Sequence, residues 1–160
     1  MTFKGKIAVL KGGYSDERAI SLKTGENVEQ ALNELGLRYT SIDCKDDFLE
    51  KLISSNFDLC FNALHGEFGE DGQIQALLEE IGIKYTHSGI SSSILAMNKA
   101  FSKEIFIRND VPTPQYKMID KDDINENDIL IPSVIKPINN GSSFGVYIIL
   151  SESDKTSFLE

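Results

Sequence analysis

Three times within the first 81 residues, a short apolar run is followed by a turn and then by a segment with helical spacing. Residues 6–10, KIAVL, read as a buried strand. Gly12-Gly13 break it, Ser15 or Asp16 caps a helix, and Gly36 stops that helix. Residues 38–43 are the second expected strand, and residues 46–54, carrying Phe48, Leu49, Leu52 and Ile53, the second helix. Residues 57–64, FDLCFNAL, are the third strand, and residues 73–81 the third helix after a glycine-rich loop. Strands that alternate with helices are joined by crossovers rather than hairpins. The expected fold is therefore α/β, an open parallel sheet with helices on both faces. Ile20, Val28, Ala31, Leu32 and Leu35 fit one face of the first helix, and that face is expected to meet the sheet.

The pattern changes after Gly89. Residues 91–109 read as one or two helices, stopped by Val111-Pro112-Thr113-Pro114. Residues 115–119 read as a strand and the acidic stretch 120–128 as a solvated loop or short helix. Residues 133–136 and 146–150 read as two strands of a hairpin. A boundary near Asn98 divides the chain into domains 1–97 and 98–160. Ser151 to Asp154 begins a helix whose apolar face has reached only Phe158 and Leu159 when the sequence stops. One turn of amphipathic helix and two or three strands make a poor independent core. The expectation is that these residues are the N-terminal part of a longer protein, the second domain being the first portion of an α+β subdomain.

The net charge of −9 argues against bulk electrostatic binding to nucleic acid or anionic membranes, while leaving room for a local basic pocket. No apolar run approaches membrane-spanning length. Cys44 and Cys60 lie in or beside strand-like segments without metal-ligand spacing, and read as buried thiols in a reducing cytosol.

The hairpin connection reads KPINNGSSFG from Lys136 to Gly145. A strand ending in a cation and a loop of glycines and small hydroxyls offers what a polyphosphate needs: backbone N–H groups that approach closely, and positive charge. It is a strand–loop–strand, and the Walker pattern GxxxxGK[ST] is absent. A glycine-rich hairpin with an exposed lysine is the equal alternative. Three further segments join it. Gly12-Gly13-Tyr14-Ser15-Asp16-Glu17-Arg18 follows the first strand, Leu64-His65-Gly66-Glu67-Phe68-Gly69-Glu70-Asp71-Gly72 the third, and Met97-Asn98-Lys99 opens the second half. In this order the four segments resemble the D-alanine–D-alanine ligases of the ATP-grasp superfamily. The resemblance runs over residues 6–150 and covers about the first half of the usual enzyme. The GGxSxER and HGxxGEDG patterns are particular to that family, whereas the lysines are general to ATP-grasp proteins.

From spacing alone, Glu17 is a first-turn glutamate that complements a helix dipole, or a carboxylate held at the ligand-binding edge of the sheet. The resemblance implies the second: Glu17 orients the amino group of the first D-alanine, in a hydrogen-bonded set with Ser142. His65 is a loop histidine with a satisfied partner or, by resemblance, lies near the substrate and the transferred phosphoryl group. Glu70 and Asp71 either orient His65 or cap the next helix, and capping is favoured for Asp71 because Gly72 and a helical apolar face follow. Lys99 is a solvated helical lysine or, by resemblance, a ligand of the ATP phosphates; the resemblance gives Lys136 the same role. Ser143, Gly141 and Gly145 would hold phosphate through backbone N–H groups and the hydroxyl.

Two positions depart from the family pattern. Asn98 stands where aspartate is common, and His87 falls in YTHSG where the family usually has YTGSG. If the backbone needs positive φ there, histidine is less comfortable than glycine. The resemblance implies ATP-dependent joining of two D-alanines through an acyl phosphate for peptidoglycan synthesis, in the cytoplasm, by a homodimer. It implies Mg2+ or Mn2+ held by carboxylates beyond Glu160, so no metal ligand is assigned within these residues. By themselves the 160 residues are expected to be inactive. A D-alanine–D-lactate-type or other ATP-grasp ligase, and a non-catalytic nucleotide- or partner-binding module, are the alternatives.

Overall fold

The computed structural model of the chain describes residues 3–120, 122 and 124–159. These divide into two compact units, Met1–Met97 and Asn98–Glu160.

The first unit runs β1 (Ile7–Lys11), α1 (Arg18–Glu34), β2 (Tyr39–Asp43), α2 (Phe48–Ser54), β3 (Leu59–Asn62), α3 (Gln73–Glu80), β4 (Lys84–Tyr85) and α4 (Ile90–Met97). The four strands form one sheet in the order β2-β1-β3-β4. All pairs are parallel: Ile7 lies opposite Tyr39 on one side and Leu59 on the other, and Leu59 lies opposite Lys84. β1 is central, and Ile7, Ala8, Val9 and Leu10 are all buried, which explains its unbroken apolar run. Ala8 and Leu10 pack on one face with Ile42, Cys60, Leu52 of α2, and Ile74 and Leu78 of α3. Ile7 and Val9 pack on the other face with Leu32 and Val28 of α1. Each Val, Leu or Ile so buried contributes roughly 1.5–3 kcal/mol relative to exposure. The α/β architecture expected from the alternating pattern is the one observed.

In this unit one local expectation needs correction, and one strand was not foreseen. The buried positions of α1 are Ser21, Gly25 and Leu32, while Ile20 is 38% and Leu35 66% exposed. The helix sits so close to the sheet that a Cβ at Gly25 would stand 2.5 Å from Cδ of Lys11. Small residues therefore occupy the contact, and the apolar stripe is rotated partly out of it. β4 is too short, at two residues, to have shown a strand pattern.

The second unit contains α5 (Lys99–Arg108), a 3-10 turn at Glu126–Asp128, β5 (Ser133–Ile135), β6 (Tyr147–Ile149) and α6 (Glu152–Leu159). β5 and β6 are antiparallel, with Ser133 opposite Ile149. α6 starts after Ser151, whose hydroxyl accepts from the N–H of Asp154 at 3.3 Å, and the Phe158 ring meets Tyr147 edge-on at 4.8 Å. Residues 115–119, expected as a strand, are not one. Side chains rather than a ladder tie this stretch to α5. Lys103 Nζ donates to the Pro114 carbonyl at 2.6 Å and lies over the Tyr116 ring, and Tyr116 Oη donates to Glu104 Oε1 at 2.6 Å. Among the described residues no helix is long and apolar enough to cross a membrane.

Candidate functional site

β1 and β3 are neighbours in the sheet, but the chain leaves β1 towards β2 on one side and β3 towards β4 on the other. Their carboxyl ends therefore form a topological switch point, where open α/β sheets leave a crevice for ligands. The loops that carry Glu17 and His65 both start there.

Glu17 occupies the N-cap of α1 and makes no side-chain capping bond. It is only 5% exposed. A glutamate serving only a helix dipole needs no such burial, and an ionised carboxylate is withdrawn from water only where other polar groups receive it. Across the crevice, a Cβ at Gly66 would come within 2.9 Å of Glu17 Oε1, and Gly66 has φ +70. Both the space and the backbone at residue 66 thus require glycine.

Buried hydrogen bonds hold the two loops together. Ser21 Oγ accepts from the Gly12 N–H and donates to the Ala63 carbonyl, each at 2.8 Å. Ser15 Oγ donates to the His65 carbonyl at 2.7 Å. Arg18 forks onto Asp43 at 2.8 and 2.6 Å and donates to the Gly13 carbonyl at 3.0 Å. The Arg18 guanidinium, helped by the N–H groups of Gly13 and Lys45, keeps the Asp43 carboxyl below the usual range despite partial burial. In the second loop, Asn62 and Gln75 both donate side-chain N–H groups to the Gly69 carbonyl, at 2.8 and 2.9 Å. Asp71 accepts from the N–H groups of Phe68 and Gln73 at 2.9 and 3.1 Å, so it serves the start of α3 from one place before the Gly72 N-cap.

His65 Nε2 lies 2.9 Å from Thr24 Oγ1, and its Nδ1 3.9 Å from Glu70 Oε1. The other Glu70 oxygen accepts from the Gly66 N–H at 2.7 Å. Glu17, His65 and Glu70 each bring one potential ligand atom to within 4.8 Å of the others. Two carboxylates and an imidazole so placed form an anionic pocket suited to a cationic group. Ser21, Thr24, Asn62 and Gln75 were not anticipated; the pattern of apolar residues carries no signal for them. The Arg18–Asp43 pair had one visible signal, an acid ending a strand.

In the second unit, Asn98 caps α5 by accepting from the Phe101 N–H at 3.0 Å, a task its isosteric aspartate would also perform. Lys99 Nζ donates to the carbonyls of Ile138, at 3.2 Å, and Asn140, tying α5 to the loop after β5. Lys136 follows β5 and is exposed. Residues 141–144 form a turn closed by the Phe144 N–H on the Gly141 carbonyl at 3.0 Å, with positive φ at both Ser142 (+46) and Ser143 (+62). Gly145 packs against Pro137, whose Cγ a Cβ would meet at 2.8 Å.

A family model described as D-ala D-ala ligase N-terminus matches residues 45–88. A D-alanine–D-alanine ligase of Wolbachia pipientis wMel is 51% identical over 150 residues, which cover 92% of this chain and 48% of that protein. Over nearly its whole length this chain is similar to D-alanine–D-alanine ligases. A crystal structure of the D-alanine–D-alanine ligase from Bacillus anthracis superposes with a TM-score of 0.81 at 32% identity, covering 96% of this chain and 52% of that one. A second structure of the Bacillus anthracis ligase, complexed with ATP, gives a TM-score of 0.71 at 31% identity over 97% and 53% of the two chains. The chain thus spans about half the length of the curated ligases it matches. His87 has φ +81, a backbone region that favours glycine. The histidine is accommodated by Thr86 Oγ1, 2.9 Å from its Nδ1, and by the Phe61 ring, edge-on at 6.1 Å.

Proposed function

We propose that the protein carrying these residues is an ATP-dependent ligase that joins two D-alanines for peptidoglycan synthesis. One observation carries the reading: a buried glutamate, Glu17, beside His65 at the switch point of a ligase-family sheet. In the first step, a carboxylate oxygen of one D-alanine attacks the γ-phosphorus of ATP, giving an acyl phosphate and ADP. In the second, the amine of another D-alanine attacks the acyl carbon, the C–O bond breaks, and phosphate and the amine's proton leave.

Glu17 would hold the ammonium of the first D-alanine, a charge-assisted contact strengthened by burial. His65 would stand beside the reacting carboxylate. Ser142 would act at the substrate. The turn at Ser142-Ser143, with Gly141, Gly145, Lys99 and Lys136, supports a phosphate-holding role because Ser142 and Ser143 are exposed and both have positive φ. Lys99 would exchange its carbonyl partners for phosphate oxygens. Mg2+ or Mn2+, when bound, would neutralise the ATP phosphates. Among the described residues the set able to hold an ion, Glu17, His65 and Glu70, mixes nitrogen with oxygen and does not suit magnesium. We place the protein in the cytoplasm, where ATP is available, as a homodimer; light scattering at micromolar concentration tests the latter.

The deciding experiment follows phosphate release by the whole protein that carries these residues, with ATP, magnesium and D-alanine, alongside mass spectrometry of the product. D-Alanyl-D-alanine is expected. Glu17→Gln should lower kcat/KM for D-alanine about 10²-fold, corresponding to about 2.7 kcal/mol of lost charge-assisted binding. A Glu17→Gln enzyme with unchanged kcat/KM overturns the role given to Glu17.

A further inference from the structure

We propose that Glu17, His65 and Glu70 form a binding site for a first-row transition-metal ion of the zinc class. Three features support it beyond mere proximity. The Thr24 hydroxyl, 2.9 Å from His65 Nε2, can accept that nitrogen's N–H, which leaves Nδ1 as an acceptor turned towards Glu70. Histidines that bind metals almost always donate their other N–H to a carboxylate, carbonyl or water oxygen, which fixes the tautomer, and the Thr24 hydroxyl stands in that place here. Glu70 is oriented in the same way: one oxygen is held by the Gly66 N–H at 2.7 Å while the other faces His65. Glu17 completes the set as a carboxylate withdrawn from water and fixed by burial at the start of α1.

The three ligand atoms lie within 4.8 Å of one another, so an ion would have to draw Glu70 and the His65 ring inward. Two ligands roughly 2.0–2.1 Å from a tetrahedral zinc stand about 3.3 Å apart. Nδ1 of His65 and Oε1 of Glu70 are 3.9 Å apart, and Glu70, whose side chain is 47% exposed, has room to close the gap. One imidazole with two carboxylates is a borderline donor set, which selects Zn2+ or Co2+ over Mg2+. Water would supply the fourth position. The chain's two thiols, Cys44 and Cys60, are not in the set and are buried in the apolar core. A metal ion and the ammonium of an amino acid would exclude each other here.

The inference stands apart from the ligase reading, because metal uptake is read without substrate. Purified protein is titrated with ZnCl2 by calorimetry and with CoCl2 by visible absorption, which reports low coordination number. About one equivalent should bind. His65→Asn and Glu70→Gln should each weaken it at least tenfold, and His87→Asn, at the other histidine, should leave it unchanged. Circular dichroism and Tm confirm that each variant is folded; Glu70, being half exposed, gives the safer variant. No uptake in the wild-type protein, undiminished affinity in either His65→Asn or Glu70→Gln, or loss in His87→Asn overturns the site. Any of these results leaves the ligase reading intact.

Discussion

Single residues in this chain are governed by backbone conformation as much as by side-chain chemistry. His87 shows it. Its φ of +81 lies in the region that L residues with a Cβ adopt at a cost of order 1–2 kcal/mol. The Thr86 hydroxyl and the Phe61 ring offset part of that. Removing the ring while keeping the Cβ removes the offset and retains the strain. His87→Gly is therefore expected to be more stable than His87→Ala by about 1 kcal/mol. Urea denaturation of both variants checks it; equal midpoints, or a more stable alanine variant, would show that the positive φ is not what governs this position. Glu17 makes the complementary point. Its type and place in the motif were legible, but its burial depends on Gly66, 49 positions later, presenting no Cβ.

At the scale of elements, the helix-to-sheet contact that positions the site is made by polar and small residues. Ser21 is fully buried and bridges the loops after β1 and β3. Ser21→Ala keeps the volume nearly constant but leaves a buried N–H on Gly12 and a carbonyl on Ala63 without that partner. The expected loss is about 1–3 kcal/mol, measurable as a fall in Tm; an unchanged Tm would mean the hydroxyl contributes nothing. The Arg18–Asp43 pair ties the start of α1 to the end of β2. Because Asp43 has its carboxyl pKa lowered in the folded state, chiefly by Arg18, the unfolded chain takes up more protons in acid. The pair's contribution is thus present above the unfolded value of about 3.9 and is lost as pH falls through the depressed folded value. Both side chains are over a third exposed or nearly so, at 34% and 41%, so solvent screens the effect and it stays modest. Asp43→Asn should lower stability at pH 7 and flatten the decline below pH 4. An acid limb identical to wild type would show that Asp43 does not titrate with folding.

Across the whole molecule, stability is unevenly distributed. Every buried hydrophobic side chain among the described residues lies within residues 7–83, apart from Ile129 and Ile149. Amide exchange in the 160-residue chain should therefore be slowest in β1 and β3 and markedly faster in β5 and β6. Uniform protection across both units would contradict this. The thiols report on the same core. Burial pushes the Cys44 thiol up to about 12 and raises Cys60 as well, so a thiol reagent should label neither until the first unit unfolds. Much of this architecture was legible in the chain itself. The alternation of strand and helix signals determined a parallel sheet, the apolar run of β1 marked it as buried, and the Gly-flanked motifs put Glu17 and His65 at strand ends. The tertiary structure alone decided which face of α1 meets the sheet, that residues 115–119 lack a strand partner, and that Thr24, Glu70 and Gly66 surround the two candidate residues. The physical reason is that hydrophobic periodicity records which side chains leave water, whereas a buried serine, glycine or carboxylate is stabilised by one particular partner, such as Ala63 for Ser21 across 42 positions, and only the folded chain brings that partner near.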